Sequence, residues 1–262
     1  MSLMPRLMLL LLALSPLSTL AASPVKLVEG TDYDVIEQPG PYAPLAGKIE
    51  VVEMFGYTCP HCARFEPQLE AWAAKLPKDV RFTPVPAAFG GVWDSFARAY
   101  LAADQLGVAK RSHRAMFQAL HETRSLPMQN VSPDELAAFY KGYGVEPERF
   151  LAALKGDAVE QKFKAARAFA QRTQVPGTPA LVINGRYLVK GDSFEALLRN
   201  ADALIAQARS EVVTVNASLP SVAFYQRHGF ACSGAVGESA GMVYQPMARS
   251  TPTAAAATPG AR

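Results

Sequence analysis

Two hydrophobic periods alternate along the chain, and the places where one gives way to the other mark its elements. Gly47-Lys-Ile-Glu-Val-Val-Glu-Met-Phe55 is mostly apolar and rich in β-branched residues, which predicts a strand over Lys48 to Phe55. After Gly56-Tyr57-Thr58 the spacing becomes helical. Phe65, Leu69, Trp72, Ala73 and Leu76 share one face of a segment from Pro60 to Leu76. Pro60 suits a first helical turn, where a missing N–H costs nothing, whereas Pro67 lies inside the pattern and predicts a kink. A second strand is expected over Val80 to Val85. From Trp93 to Thr173 the pattern is helical almost throughout, with Ser132-Pro-Asp-Glu135 reading as a capping box. The period then returns to that of strands: Ala180 to Ile183 and Arg186 to Val189 flank Asn184-Gly185, a strong signal for a tight hairpin. A final amphipathic helix is expected over Phe194 to Arg209.

Strand–helix–strand, a helical block, a hairpin and a helix describe an α/β core carrying a helical insertion over about residues 92–173. An insertion of that length exceeds a plain crossover and is expected to be a small subdomain. Residues 23–210 would hold this domain, 211–250 a separate C-terminal segment, and 251–262, which is Ala/Thr/Pro-rich, a disordered tail.

Composition adds one exclusion and one address. The 262 residues carry 26 basic and 23 acidic side chains, a net +3, with no Lys/Arg cluster interleaved with aromatics, so nucleic acid is not an expected partner. Residues 1–22 have the grammar of a cleavable secretory signal: Arg6 as the only charge, the apolar run Leu7 to Leu14, then small residues at Ser18, Ala21 and Ala22. That run is short of the roughly 20 apolar residues of a membrane span. No Cys follows it to take a lipid, so a released periplasmic protein is expected.

The chemistry lies in three cysteines, Cys59, Cys62 and Cys232. An exported protein stapled by disulfides would have several spaced pairs; here one close pair stands alone. Cys59-Pro60-His61-Cys62 opens a helix directly after a buried strand. Unpaired N–H groups and the helix dipole there favour a negative sulfur on Cys59, and a protonated His61 would add to this. Cys62, one turn in, would resolve mixed disulfides. The competing readings are a structural staple and a metal site. Zinc needs about four ligands, and the sequence offers neither a second Cys pair nor a His cluster, so no metal and no cofactor are expected. Cys232 is read as incidental.

Glu53, in the apolar strand and on the face of Phe55, is costly unless solvated or paired, and could accept a proton from Cys62. In Val175-Pro-Gly-Thr178-Pro179, a cis bond before Pro179 would leave adjacent backbone free to pair with a substrate peptide beside Cys59. His113 and His121, eight apart in the helical block, are read as solvent-exposed.

Together, Glu53-Met-Phe-Gly-Tyr-Thr-Cys-Pro-His-Cys62, the Phe89-Gly-Gly91 turn and Val175-Pro-Gly-Thr-Pro179 resemble the DsbA family of thiol:disulfide interchange proteins over about residues 25–210. The resemblance implies a thioredoxin-like fold with inserted helices, a redox-active Cys59–Cys62 disulfide, a cis Pro179, reduced or unfolded exported proteins as substrates, and reoxidation by a quinone-linked DsbB-type inner-membrane partner. Two departures bear on it. Some relatives carry a Lys that pairs with the buried Glu, where Arg81-Phe-Thr-Pro-Val-Pro86 has none. Thr before the cis-Pro also occurs in disulfide isomerases, so a reductase or isomerase is the alternative reading. Isomerases add an N-terminal dimerisation domain; only about 25 residues separate the signal from the first expected strand, and a monomer is expected.

Val215-Asn-Ala-Ser-Leu-Pro-Ser-Val-Ala-Phe-Tyr-Gln-Arg-His-Gly-Phe230 and Gly241-Met-Val-Tyr-Gln-Pro-Met247 resemble the end of a GNAT-type N-acetyltransferase, where a helix leads through Gly-Phe to a strand pair. The resemblance implies a general-acid role for Tyr225. With no Gly-rich pyrophosphate loop upstream, acetyl transfer is not expected, and so short a piece is not expected to build its own core.

Overall fold

The computed structural model describes residues 26–239 and 241–250. The expected signal segment and the expected disordered tail lie outside these residues.

A five-stranded mixed sheet organises residues 26–210, in the order β1 (Tyr33–Val35), β5 (Tyr187–Val189), β4 (Ala180–Ile183), β2 (Ile49–Phe55), β3 (Val80–Pro86). β2 runs parallel to β3 and antiparallel to β4, and all seven of its residues are buried, as an apolar run covered on both faces requires. On one face Ile49, Val51, Leu181 and Ile183 pack against α1 (Pro60–Ala73) and α7 (Phe194–Ser210). On the other, Val52, Met54 and Val182 meet α6 (Asp157–Arg172) through Ala166, Phe169 and Ala170. This is the α/β core that the element order implied, in the thioredoxin-like form that the resemblance implied.

The hairpin forms where Asn184-Gly185 placed it. Both turn residues have positive φ, 52° and 60°, and Arg186 N–H donates to the Ile183 carbonyl at 2.8 Å. Gly185 is required twice over, because a Cβ there would lie 1.7 Å from the Gly40 carbonyl oxygen. The helix α1 runs through Pro67 without being divided, and ends at Ala73 rather than Leu76. β1 gave no sequence signal; three residues are held only as an antiparallel edge on β5.

The insertion comprises α2 (Val92–Gln105), α3 (Ala109–His121), α4 (Pro133–Lys141), α5 (Pro147–Leu154) and α6. The capping box is complete: Glu135 N–H donates to Ser132 Oγ at 3.2 Å and Ser132 N–H to Glu135 Oε2 at 2.7 Å. Its apolar interior is not separate from the core. Phe96, Tyr100, Met116, Phe117 and Leu120 form one cluster with Phe55, Tyr57, Cys59 and Cys62, so the inserted helices wall the cysteine pair.

The C-terminal segment forms more than a strand pair. β6 (Val212–Ser218), β7 (Ala231–Cys232), β8 (Gly237–Ser239) and β9 (Met242–Ser250) make an antiparallel sheet, with α8 (Val222–Arg227) between β6 and β7. It buries little: Ala217, Met247 and Ala248 are its buried apolar side chains among the described residues, while Phe224, Val236 and Met242 face solvent.

Candidate functional site

The strand β2 delivers the chain, through Gly56-Tyr57-Thr58, to the N-terminus of α1, and Cys59 is the cap residue of that helix. Its sulfur accepts from the Cys62 N–H at 3.4 Å. Pro60 occupies the first helical position, where φ is already suited and no donor is lost. Across the site, Sγ of Cys59 lies 3.3 Å from the Thr178 carbonyl, and the Thr178–Pro179 bond is cis. Strand–helix and helix–strand connections 119 residues apart therefore meet at one sulfur atom.

The two thiols are driven apart in acidity. Cys59 is lowered to about 5, by the hydrogen bond from the Cys62 thiol first, then, against burial, by Thr178 and by the N–H groups of Cys62 and His61. Cys62, 1 % exposed, is pushed up, by burial first and then by donating its proton to Cys59. One sulfur is thus held as a ready thiolate and the other as a thiol. His61 contributes through its backbone. Its imidazole is exposed, and its Nδ1 accepts from the Arg64 guanidinium at 2.9 Å.

Glu53 lies behind the pair, 1 % exposed and with Oε2 unpartnered. Burial first, then the charge of Glu66, holds its carboxyl well above the usual range, and its charge in turn opposes ionisation of Cys62. No Lys or Arg forms an ion pair with it among the described residues; Arg81 is turned to Glu50 at 2.7 Å. A groove of about 910 Å³ lies beside the sulfurs, lined by His61, Gly177, Thr178, Pro179, Leu188 and Phe194.

The reading of His113 as solvent-exposed is corrected. It is buried: Nδ1 lies 2.8 Å from the Tyr57 hydroxyl and Nε2 3.5 Å from Glu66 Oε2. His121, half-buried, bonds the Tyr57 carbonyl through Nε2 at 2.7 Å. A sequence signal for these residues existed. Glu66 falls in the stripe Cys62, Phe65, Glu66, Leu69, and His113 in the stripe His113, Met116, Phe117, Leu120, so both sit on helix faces that bury.

Comparison with known proteins agrees with this geometry. A model of the DSBA-like thioredoxin domain matches residues 50–201, and one of the GNAT acetyltransferase domain matches residues 194–251. The chain is 36 % identical over 203 residues to the thiol:disulfide interchange protein DsbA of Pseudomonas aeruginosa, covering 76 % of this chain and 94 % of that one. It is 40 % identical over 193 residues to the DsbA of Azotobacter vinelandii, covering 72 % and 87 %. Among solved structures, the oxidoreductase DsbA from Xylella fastidiosa superposes with a TM-score of 0.69 at 63 % identity, over 70 % of this chain and 98 % of that one.

Proposed function

The chain belongs to the family of DsbA-like thioredoxin domains, and from that premise we propose that this thiol:disulfide oxidoreductase donates disulfides to exported proteins in the periplasm. The observation that carries the direction of transfer is the split between the two sulfurs, Cys59 lowered to about 5 and Cys62 pushed up.

A substrate thiolate attacks Sγ of Cys59 in the Cys59–Cys62 disulfide. The S–S bond breaks, Cys62 leaves with the electron pair and takes up a proton, and Cys59 is joined to the substrate. The substrate's second thiolate then attacks its own sulfur in that mixed disulfide, and Cys59 departs as a thiolate. Two electrons have passed to the enzyme, and the substrate keeps the new disulfide. A low leaving-group pKa accelerates the second step, and stabilising the reduced form makes the disulfide more oxidising. Glu53, buried beside Cys62, serves as the group that exchanges the Cys62 proton. The Thr178–Pro179 backbone and the adjoining groove receive the substrate as an extended segment. Reoxidation falls to a quinone-linked DsbB-type partner in the inner membrane, and the protein works as a monomer.

The test is the equilibrium of the Cys59–Cys62 pair with a glutathione series, on protein carrying Cys232→Ser. A potential near about −120 mV, the figure established for a DsbA protein, is expected. A value near about −270 mV, as in thioredoxin, makes the protein a reductant and rejects the oxidase reading.

A further inference from the structure

Behind the redox pair three elements converge. Glu53 of β2, Glu66 of α1 and His113 of α3 are all buried, and each offers a donor atom within 4.8 Å of the other two. Oε2 of Glu53, a residue 1 % exposed, has no hydrogen-bond partner, and neither has Nε2 of His113, 9 % exposed, whose contact with Glu66 Oε2 at 3.5 Å does not make one. Orphaned buried polar atoms are rare in folded proteins, and a pair of them aimed at one point calls for an occupant.

The ring of His113 is oriented for a ligand. Its Nδ1 lies 2.8 Å from the Tyr57 hydroxyl. With Nδ1–H donated to that oxygen, Nε2 carries its lone pair toward the carboxyls, the arrangement in which metal-binding imidazoles are held. Arg81 is paired with Glu50 and Arg114 lies 3.8 Å from Glu70, while Lys110, at the cavity beside the three donors, forms no ion pair among the described residues. A cavity of about 560 Å³, with Lys110 and Asp104 in its wall, is lined by all three donor residues and gives them a route to solvent. It shares none of its lining with the groove at Thr178 and His61.

We propose that Glu53, Glu66 and His113 bind a zinc-type divalent cation, with water from the cavity as a fourth ligand. Two oxygens and one imidazole nitrogen with an open position suit zinc. Bonds of about 2.0–2.2 Å place tetrahedral donors roughly 3.3–3.6 Å apart, so the side chains close by about an ångström on binding. The cation and the Cys62 proton would then compete for Glu53.

The experiment uses the full oxidised protein carrying Cys232→Ser, so that no thiolate is available to hold metal. Zinc is titrated calorimetrically, and cobalt replaces it for visible absorption and X-ray absorption. One equivalent is expected to bind with a tetrahedral cobalt band and one imidazole in the coordination sphere. Affinity should fall at least tenfold in both His113→Gln and Glu66→Gln, and stay unchanged in His228→Gln, which alters an exposed histidine of the C-terminal segment. Absence of binding, a cobalt site without imidazole, or equal affinity in folded His113→Gln and wild-type protein overturns the proposal. Because the X-ray reading needs only wild-type protein, a variant that fails to fold does not shelter it. Zinc should also slow disulfide transfer by the wild type. If it binds as described and transfer is unaffected, the proton-exchanging role of Glu53 fails while the metal site stands.

Discussion

The two sheets of this molecule are built from strands of similar length and differ in what covers them. β2, seven residues long, is buried at every position, between α1 and α7 on one face and α6 on the other. β9, nine residues long, pairs with β6 from Tyr244 to Ser250, yet Met242 and Val243 are exposed, and among the described residues the segment's one α-helix is α8, six residues long. Hydrogen bonding between strands contributes little net stability because water offers the same bonds to the unfolded chain. Burial of apolar area makes a sheet into a platform on which groups can be held to fractions of an ångström. The difference explains why the sulfurs, the Thr178–Pro179 turn and the buried carboxyls all hang from the first sheet. The GNAT-like match at residues 194–251 begins on α7, a helix that already serves the first sheet, and the segment beyond it lacks the second layer that a cofactor site would need.

The sharpest way to break this comparison is to remove each region in turn. Cys59→Ser should abolish disulfide transfer to a reduced peptide, a loss of more than a thousandfold, because no other described residue can form the mixed disulfide at the cap of α1. Deletion of residues 212–262 should leave the rate within twofold. The truncation keeps Glu211, which accepts from the Tyr187 hydroxyl at 3.0 Å and pairs with Arg186 at 3.6 Å. A truncated protein that folds but has lost transfer would show that the second sheet takes part in the reaction. Stability offers the next contrast. Leu204→Ala, in the fully buried face of α7, should lower unfolding free energy by about 2–5 kcal/mol through lost transfer energy and a residual cavity. Met242→Ala on β9, 70 % exposed, should change it by less than about 0.5 kcal/mol. Urea denaturation of the full chain measures both, and equal effects would mean that β9 is covered in solution.

Much of this was legible in the amino-acid sequence because strong local signals coincide with the site. Cys59-Pro60-His61-Cys62 is a helix start in its own right, and Asn184-Gly185 fixes the hairpin that brings Pro179 opposite. The capping box at Ser132 and the extent of the inserted helices were equally local. What escaped was non-local or too short. β1 has three residues and forms only because β5 offers an edge. Glu66 and His113 were visible as polar residues on burying stripes, but their meeting with Glu53 depends on α1, α3 and β2 packing at one point, which no spacing encodes. The placement of His113 as exposed came from counting ligands along the chain rather than across it. Continuity of the insertion with the cysteine pair escaped for the same reason: Phe117 lies 5.1 Å from Tyr57 between ring centroids, and 60 residues separate them.

pH separates the two regions by the titration of one thiol. In the reduced protein the folded state holds Cys59 at about 5, against an ordinary thiol value of 9.0 when unfolded. Between these values the unfolded chain binds more protons at Cys59 than the folded one, so stability rises with pH across that interval. The contribution is fully present above about pH 9 and is lost as pH falls through about 5. The oxidised protein has no thiol at this position and lacks the contribution altogether. The difference in Tm between reduced and oxidised protein should therefore shrink by a few degrees from pH 8 to pH 5, and alkylation of Cys59 by iodoacetamide should fall about tenfold per unit below pH 5. Both trends arise at the α1 terminus, and protein lacking residues 212–262 should reproduce them unchanged. A pH dependence that disappears on truncation would tie the thiolate to the second sheet; one that survives assigns it to the cap, the Cys62 thiol and Thr178 alone.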